Sequence, residues 1–234
     1  MEWSFRTALT CFKRQLSELA PTQMCFYFFS DGQWLAELST DELYSPWVQQ
    51  IDAFEGQHYV VGFSHPRLDV LTNDFKKPIA KMEWGLLPHW AKDKSFQKNT
   101  LNARLETLEE KPSFRSYTGN RCLIPAESFV EWQWLDPKGK VKQKYRIREK
   151  GEPWFTFAGL YSEWADPETG EVIPTFTIVT REAEGIMREI HNTKLRMPMI
   201  VSRAERDLWL AGEIDVATPP ELEAEKAELA FFRE

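Results

Sequence analysis

Cysteine is scarce in this chain: Cys11, Cys25 and Cys122 are the only three in 234 residues. They are too few and too scattered for a disulfide framework, and no Cys-x-x-Cys or Cys/His spacing for zinc occurs. The expectation is a protein of a reducing compartment, cytoplasmic and without a metal site. No apolar run approaches the roughly 20 residues needed to span a bilayer. The opening MEWSFRTALTCFKRQL has no secretory apolar core, so no membrane association is expected. Positive charge is also in deficit. The 29 Lys+Arg face 36 Asp+Glu, a net of −7, which excludes a protein that grips nucleic acid by bulk charge. There is no internal repeat and no low-complexity linker.

What remains is an ordinary globular composition, 42% hydrophobic and 28% charged, in a chain long enough for one sizeable core. The acidity is unevenly placed. Residues 201–234 carry a net −5, residues 1–24 a net +1, and the stretch between them is only mildly acidic. The final ELEAEKAELAFFRE reads as a solvated helix or a loose end.

Phe5, Ala8, Leu9, Phe12, Leu16 and Leu19 fall at helical spacing and Pro21 stops the pattern, which predicts an amphipathic helix over 5–19. From Gln57 onward the texture is β-rich: HYVVGF, LDVL and IAKMEW, then RCLIP, SFVEWQW, KQKYRIR, PWFTFAGLY and TFTIVT. Turns are expected at residues 137–139 and 167–170. Helices are expected over 182–190 and 203–211, the second with Ser202 and Glu205 as a capping box. These elements predict one α+β domain over 25–212. Its core is a twisted antiparallel, barrel-like sheet with flanking helices, preceded by an extension (1–24) and followed by an acidic tail (213–234).

Lys138, Lys140, Lys142, Lys144, Arg146, Arg148 and Lys150 occupy every second position. On a strand this sends the charges to one face and Val141, Tyr145 and Ile147 to the other. A solvated hairpin face over a core is favoured, with a phosphate-contacting stripe second. Most of the ten tryptophans belong to the core, and a few could stack on bases.

Taken singly, the reactive residues say little. Cys11 and Cys122 read as small buried hydrophobes, and His58, His65 and His89 as surface or packing histidines. Glu131 interrupts the aromatic run SFVEWQW. It shares a face with Phe129 and Gln133, and periodicity favours a wet face over a pocket that shifts its pKa. His191 closes IMREIH, where an imidazole can simply satisfy a helix end, and Asn102 in LNARLET could be a turn amide.

The order of motifs is more specific than any one of them. Met24-Cys25 is followed by WGLLPHW, LNARLET, FVEW and IHNTKLRMP. This set resembles the SRAP family, SOS-response-associated peptidase-like proteins understood as abasic-site sensors on single-stranded DNA. The similarity runs from Met24 to about Leu210. GFSHPRL and KPSFR are similar to the branch of the family common in Bacteroidetes-type bacteria. The resemblance implies an SRAP-type domain and a covalent trap for abasic sites, with Cys25 as the residue that forms a thiazolidine. Asn102 would orient the amine, Glu131 would shuttle protons, and His191 would open the deoxyribose ring. Trp84 would line the DNA cleft, and Arg104, Arg196 and, more weakly, Thr180 would contact phosphates. It implies single-stranded DNA as partner, no metal or organic cofactor, and a monomer. AP-lyase or autoproteolytic thiol peptidase activity is compatible with the same residues.

Two departures stand out. Phe26-Tyr27 follows Cys25 where many relatives have Gly-Arg. Residues 1–24 make the Cys25 nitrogen an amide, which cannot form an imine, so the reactive protein must begin at Cys25. Translation from Met24 is the simplest route; cleavage before Cys25 or a regulatory cap are the others. The family's closing C-terminal strand is not evident after Leu210. The alternatives are a cysteine hydrolase or autopeptidase using Cys25 and His191, and a non-catalytic DNA-binding module.

Overall fold

The computed structural model of the protein describes residues 27–49, 51 and 59–227. The expected helix over 5–19, Cys11, Cys25 and His58 lie outside the described residues.

Alternation in the β-rich runs becomes two sheets. The first has five strands: β1 (Tyr27–Phe29), β2 (Val60–Val61), β7 (Ser128–Trp134), β8 (Lys142–Glu149) and β13 (Leu222–Lys226), in the order β13-β8-β7-β1-β2 and antiparallel throughout. The second contains β3 (Arg67–Thr72), β4 (Ile79–Trp84), β5 (Asn102–Arg104), β6 (Arg121–Ala126), β9 (Phe155–Ala165), β10 (Val172–Glu182), β11 (Arg196–Pro198) and β12 (Ile200–Val201). Five of these close on themselves in the cycle β10-β4-β3-β6-β9-β10. Within this cycle the β10–β4 seam is parallel and the other pairings are antiparallel. Closure removes the sheet edges of that barrel.

Two buried clusters follow from the pleat. One joins Phe28, Phe129 and Ile147 of the five-stranded sheet to Trp84, Cys122, Phe157 and Phe176 of the barrel strands. The other lies under the helices α1 (Gln33–Leu38), α2 (Ser45–Val48) and α4 (Arg206–Ala211), whose Trp34, Leu38, Trp209 and Leu210 pack with Leu123, Leu160 and Val179. Each fully buried aromatic or aliphatic side chain adds about 1.5–3 kcal/mol. Cys122 is wholly buried, and burial pushes its thiol far above the usual range, so it is an inert core residue as expected.

The α+β barrel expected from the sequence is the architecture found. Four local expectations are corrected. The acidic tail is not a helix or loose end over 222–226: Leu222–Lys226 pairs with Glu149–Tyr145 as the outermost strand. This ladder is stabilised by backbone bonds that composition does not reveal. The expected 182–190 helix is one turn, α3 (Met187–Ile190), because β10 continues to Glu182. Ser202 makes no side-chain cap; its hydroxyl donates to Glu205, whose carboxylate accepts the backbone N–H of Thr218 instead. Glu131 is 3% exposed, not on a wet face. It shares the inward side of β7 with Phe129.

The basic stripe behaves as alternation predicts, with Ile147 buried and Lys142, Lys144, Arg146 and Arg148 on the opposite face. Lys142 and Lys144 lie over the rings of Trp134 and Trp132. Arg148 pairs with Glu223 and Glu225 of the tail strand. Cross-strand neutralisation, with one charged row facing another, is why the tail can be acidic and still pair.

Candidate functional site

Three elements converge at one end of the barrel. β10 is the common support. It pairs in parallel with β5, matching Ile178 with Asn102 and Thr180 with Arg104, and antiparallel with β11, matching Thr180 with Pro198 and Glu182 with Arg196. Asn102 therefore enters from β5 and Arg196 from β11. His191 enters from the end of α3, and α3 docks on the strand that carries Glu131. Gln133 donates to the carbonyl of Glu189, and the Asn192 amide pairs with both backbone groups of Trp134.

His191 is 6% exposed. Its backbone N–H donates to Met187, and its carbonyl accepts Leu195 N–H, closing a tight turn. Leu195 sits at φ 50 in that turn, a left-handed conformation unusual for a leucine. Within the same turn the Arg196 backbone N–H donates to Nδ1 of His191 at 3.1 Å. Nδ1 is thus unprotonated, and the neutral ring carries its proton on Nε2. Burial, reinforced by the charge of Lys194, pulls the imidazole pKa down to about 4. At neutral pH His191 is an uncharged N–H donor.

Arg196 is 8% exposed and fully engaged at its guanidinium nitrogens Nη1 and Nη2. These form a fork on Glu106, with Nη2 at 2.8 Å from Oε2, and Nη2 also donates to the carbonyl and hydroxyl of Thr180. The pair with Arg196 holds the Glu106 carboxyl below its ordinary range, against the burial that opposes this. Thr180 is wholly buried, its hydroxyl tied to Ala103 and Arg196. Arg196 and Thr180, expected at phosphates, form a clamp that fixes β11 against β10. Arg104 is exposed and makes no ion pair among the described residues, so its guanidinium is available to a ligand.

Trp84, expected to line a cleft, is 0% exposed. Its ring lies between Phe28 and Phe176, and its Nε1 donates to the carbonyl of Leu101 at 2.8 Å. That bond sets the start of β5, one residue before Asn102. The motif tryptophan that does reach the surface is Trp90, 45% exposed and edge-on to Phe96. The following residues Lys92, Lys94 and Lys98 are exposed beside it. His65 and His89 bond Trp84 O and the Tyr117 hydroxyl, consistent with packing roles.

Sequence reasoning assigned nothing to Glu106, Asn192 or Glu127. Glu106 stands in the LNARLET motif, so a signal existed. Glu127 is buried and accepts the N–H groups of Asp31 and Gln33, capping the entry to α1 from 94 residues away in sequence. No local pattern could reveal that.

Comparison with known proteins gives the family of the chain. The sequence model described as SOS response associated peptidase (SRAP) matches residues 15–230. The chain is 42% identical over 166 residues to the abasic site processing protein YoqW of Bacillus subtilis, covering 68% of this chain and 71% of that one. It is 32% identical over 175 residues to the abasic site processing protein HMCES of Gallus gallus, covering 64% of this chain and about half, 49%, of the longer relative. A crystal structure of a Bacteroides thetaiotaomicron protein superimposes with a TM-score of 0.74 at 28% identity, covering 90% of this chain and 95% of that one. With the family match spanning nearly its whole length, the chain belongs to the SRAP family.

Proposed function

We propose that this protein processes abasic sites in single-stranded DNA by forming a covalent thiazolidine through Cys25 once that residue is N-terminal. The ring-opened abasic sugar presents an aldehyde at C1′. The Cys25 α-amine, with a pKa of about 8 when free, adds to it, and loss of water gives an imine. Thiolate attack on the imine carbon then closes the five-membered ring. One C–N and one C–S bond form, the C=O bond is lost, and one water leaves.

The observation that carries this reading is the state of His191. A neutral imidazole with its proton on Nε2 can donate to the ring oxygen of the closed sugar and so promote opening to the aldehyde. Glu131, buried on the inward side of β7, would move protons during imine formation and ring closure. Asn102, at the start of β5, would orient the amine. Tyr27 opens β1, and Cys25 is two residues before it, within about 7 Å of chain length. Arg104 supplies the phosphate contact, and the exposed face of Trp90 a stacking platform, in place of Trp84, Thr180 and Arg196.

The hydrolase reading fits less well. A base for the Cys25 thiol needs an unprotonated Nε2, and the Arg196 N–H assigns the free lone pair to Nδ1.

The test is incubation of the chain started at Met24 with a single-stranded abasic oligonucleotide. A heat-stable crosslink is expected for the parent and for Cys122→Ala, with none for Cys25→Ala. Crosslinking that survives Cys25→Ala overturns the proposal.

A further inference from the structure

His191 is bonded almost entirely to its own turn: Met187 O, Leu195 N and Arg196 N are its partners. Those bonds fix the imidazole within the 187–196 segment. They do not fix that segment against β7, the strand that carries Glu131. Something must, since acid–base groups acting on one sugar lose rate steeply when misplaced by an ångström.

Asn192 makes that connection. Its Oδ1 accepts the Trp134 backbone N–H at 3.1 Å, and its Nδ2 donates to the Trp134 carbonyl at 2.9 Å. The amide therefore meets Trp134 as a neighbouring strand residue would, saturating both backbone groups at the end of β7. Trp134 is three residues from Glu131 and Asn192 is adjacent to His191, so the two-bond clasp joins the two functional groups through a short stretch of chain. A second, single bond, Gln133 Nε2 to Glu189 O at 3.1 Å, lies beside it.

We infer that Asn192 is a positioning residue, setting the placement of His191 relative to Glu131 through its paired bonds to Trp134. The inference rests on the roles proposed above for His191 and Glu131. Both bonds are solvent-exposed, so their net worth to global stability is small. Their consequence is geometric.

Two readouts separate this role from a structural one. In full-length protein, backbone residual dipolar couplings report the orientation of residues 187–196 against β7 without any reaction. The parent is expected to show one common rigid orientation for the two. Asn192→Ala is expected to shift or average the couplings of 187–196 relative to β7, with the His191 tautomer still held by the Arg196 N–H, while the melting temperature stays within about 2 °C. In the chain started at Met24, Asn192→Ala should slow abasic crosslinking about tenfold. Asn192→Asp, which can accept from Trp134 N–H but cannot donate to its carbonyl, should fall between the two. Unchanged couplings for 187–196 in Asn192→Ala overturn the inference, as does a loss of rate matched by loss of fold. A parent that never crosslinks sinks the proposed function instead, and the couplings still decide the role of Asn192.

Discussion

The backbone N–H of Arg196 donates to Nδ1 of His191 at 3.1 Å, five residues along the chain. It fixes the tautomer, and burial keeps the ring neutral. Folded His191 titrates near 4 against an ordinary value of 6.5. Between those values the unfolded chain takes up a proton that the folded chain refuses. The contribution to stability is therefore full above about pH 7 and is lost as pH falls, amounting to about 2 kcal/mol at pH 5. His191→Asn, whose Oδ1 can still accept the Arg196 N–H, should remove this part of the slope. Urea midpoints of the two proteins between pH 7.5 and 5 measure it; parallel curves would contradict a neutral buried imidazole.

The Arg196–Glu106 fork leads to a prediction about DNA affinity. A phosphate can reach the Arg196 guanidinium only by displacing a carboxylate that already holds it at 2.8 Å. Glu106→Gln weakens that hold while leaving Arg196 buried. Binding of an undamaged single-stranded oligonucleotide should then tighten. The slope of log K against log salt should steepen by about 0.7, the share of one phosphate on a single strand. An unchanged slope would show that Thr180 alone keeps Arg196 locked. Arg196→Lys cannot make the fork, and its crosslinking rate should fall because the turn carrying His191 loses its anchor.

Two glycines carry sharp steric predictions. Gly85, in the Trp84-Gly85 pair, has φ +116, and a Cβ there would lie 2.7 Å from Gln97 Cβ and 2.9 Å from Gln97 O. Gly159 lies in β9, where a Cβ would meet Ile124 Cδ1 at 2.5 Å and the backbone oxygen of Thr177 at 2.8 Å. Alanine at either position forces backbone apart, an expected cost of about 2–4 kcal/mol in denaturant melts. Cys122→Ala should partly offset Gly159→Ala, because Cys122 Sγ is another atom in the way, at 2.8 Å, and should leave Gln97-facing Gly85→Ala unaffected.

Period-two alternation exposed β7 and β8 to sequence reasoning because Phe129 and Ile147 sit on one pleat face and the charges on the other. It misjudged Glu131 for the same reason. Alternation says which side a residue takes, not whether that side is later covered, and at 3% exposure Glu131 is covered. Trp84 and Trp90 show the same gap within a single motif. Both are tryptophans near a β-strand end, yet one becomes core through Phe28 and Phe176, which are 56 residues upstream and 92 downstream. The family resemblance puts Arg196 at a phosphate; its fork with Glu106, 90 residues earlier, is not legible from the motif. The helix over 182–190 failed because pairing with β11 rewards continuing β10 to Glu182.

The acidic tail gives the last prediction. Beyond Gly212 the chain is held at many points: Arg121 bonds the carbonyl of Ile214 and pairs with Asp215 at 2.6 Å, Arg181 donates to the carbonyl of Ala217 at 2.8 Å, and Glu205 accepts Thr218 N–H. β13 then covers the edge of β8. Ending the chain at Gly212 removes these bonds and leaves the backbone groups of β8 unpaired at an open edge beside buried Ile147. Truncation should cost several kcal/mol and lower soluble yield, the marks of a lost sheet strand. Charge alone should matter little. The carboxylates of Glu221, Glu223 and Glu225 are more than half exposed and pair with Lys150 and Arg148 in water. Replacing all three by glutamine should therefore shift stability by about 1 kcal/mol or less. A triple variant as damaged as the truncation would mean that the tail is held by its ion pairs; a small effect places the hold in the β8–β13 ladder and the half-buried Arg121 and Arg181 contacts.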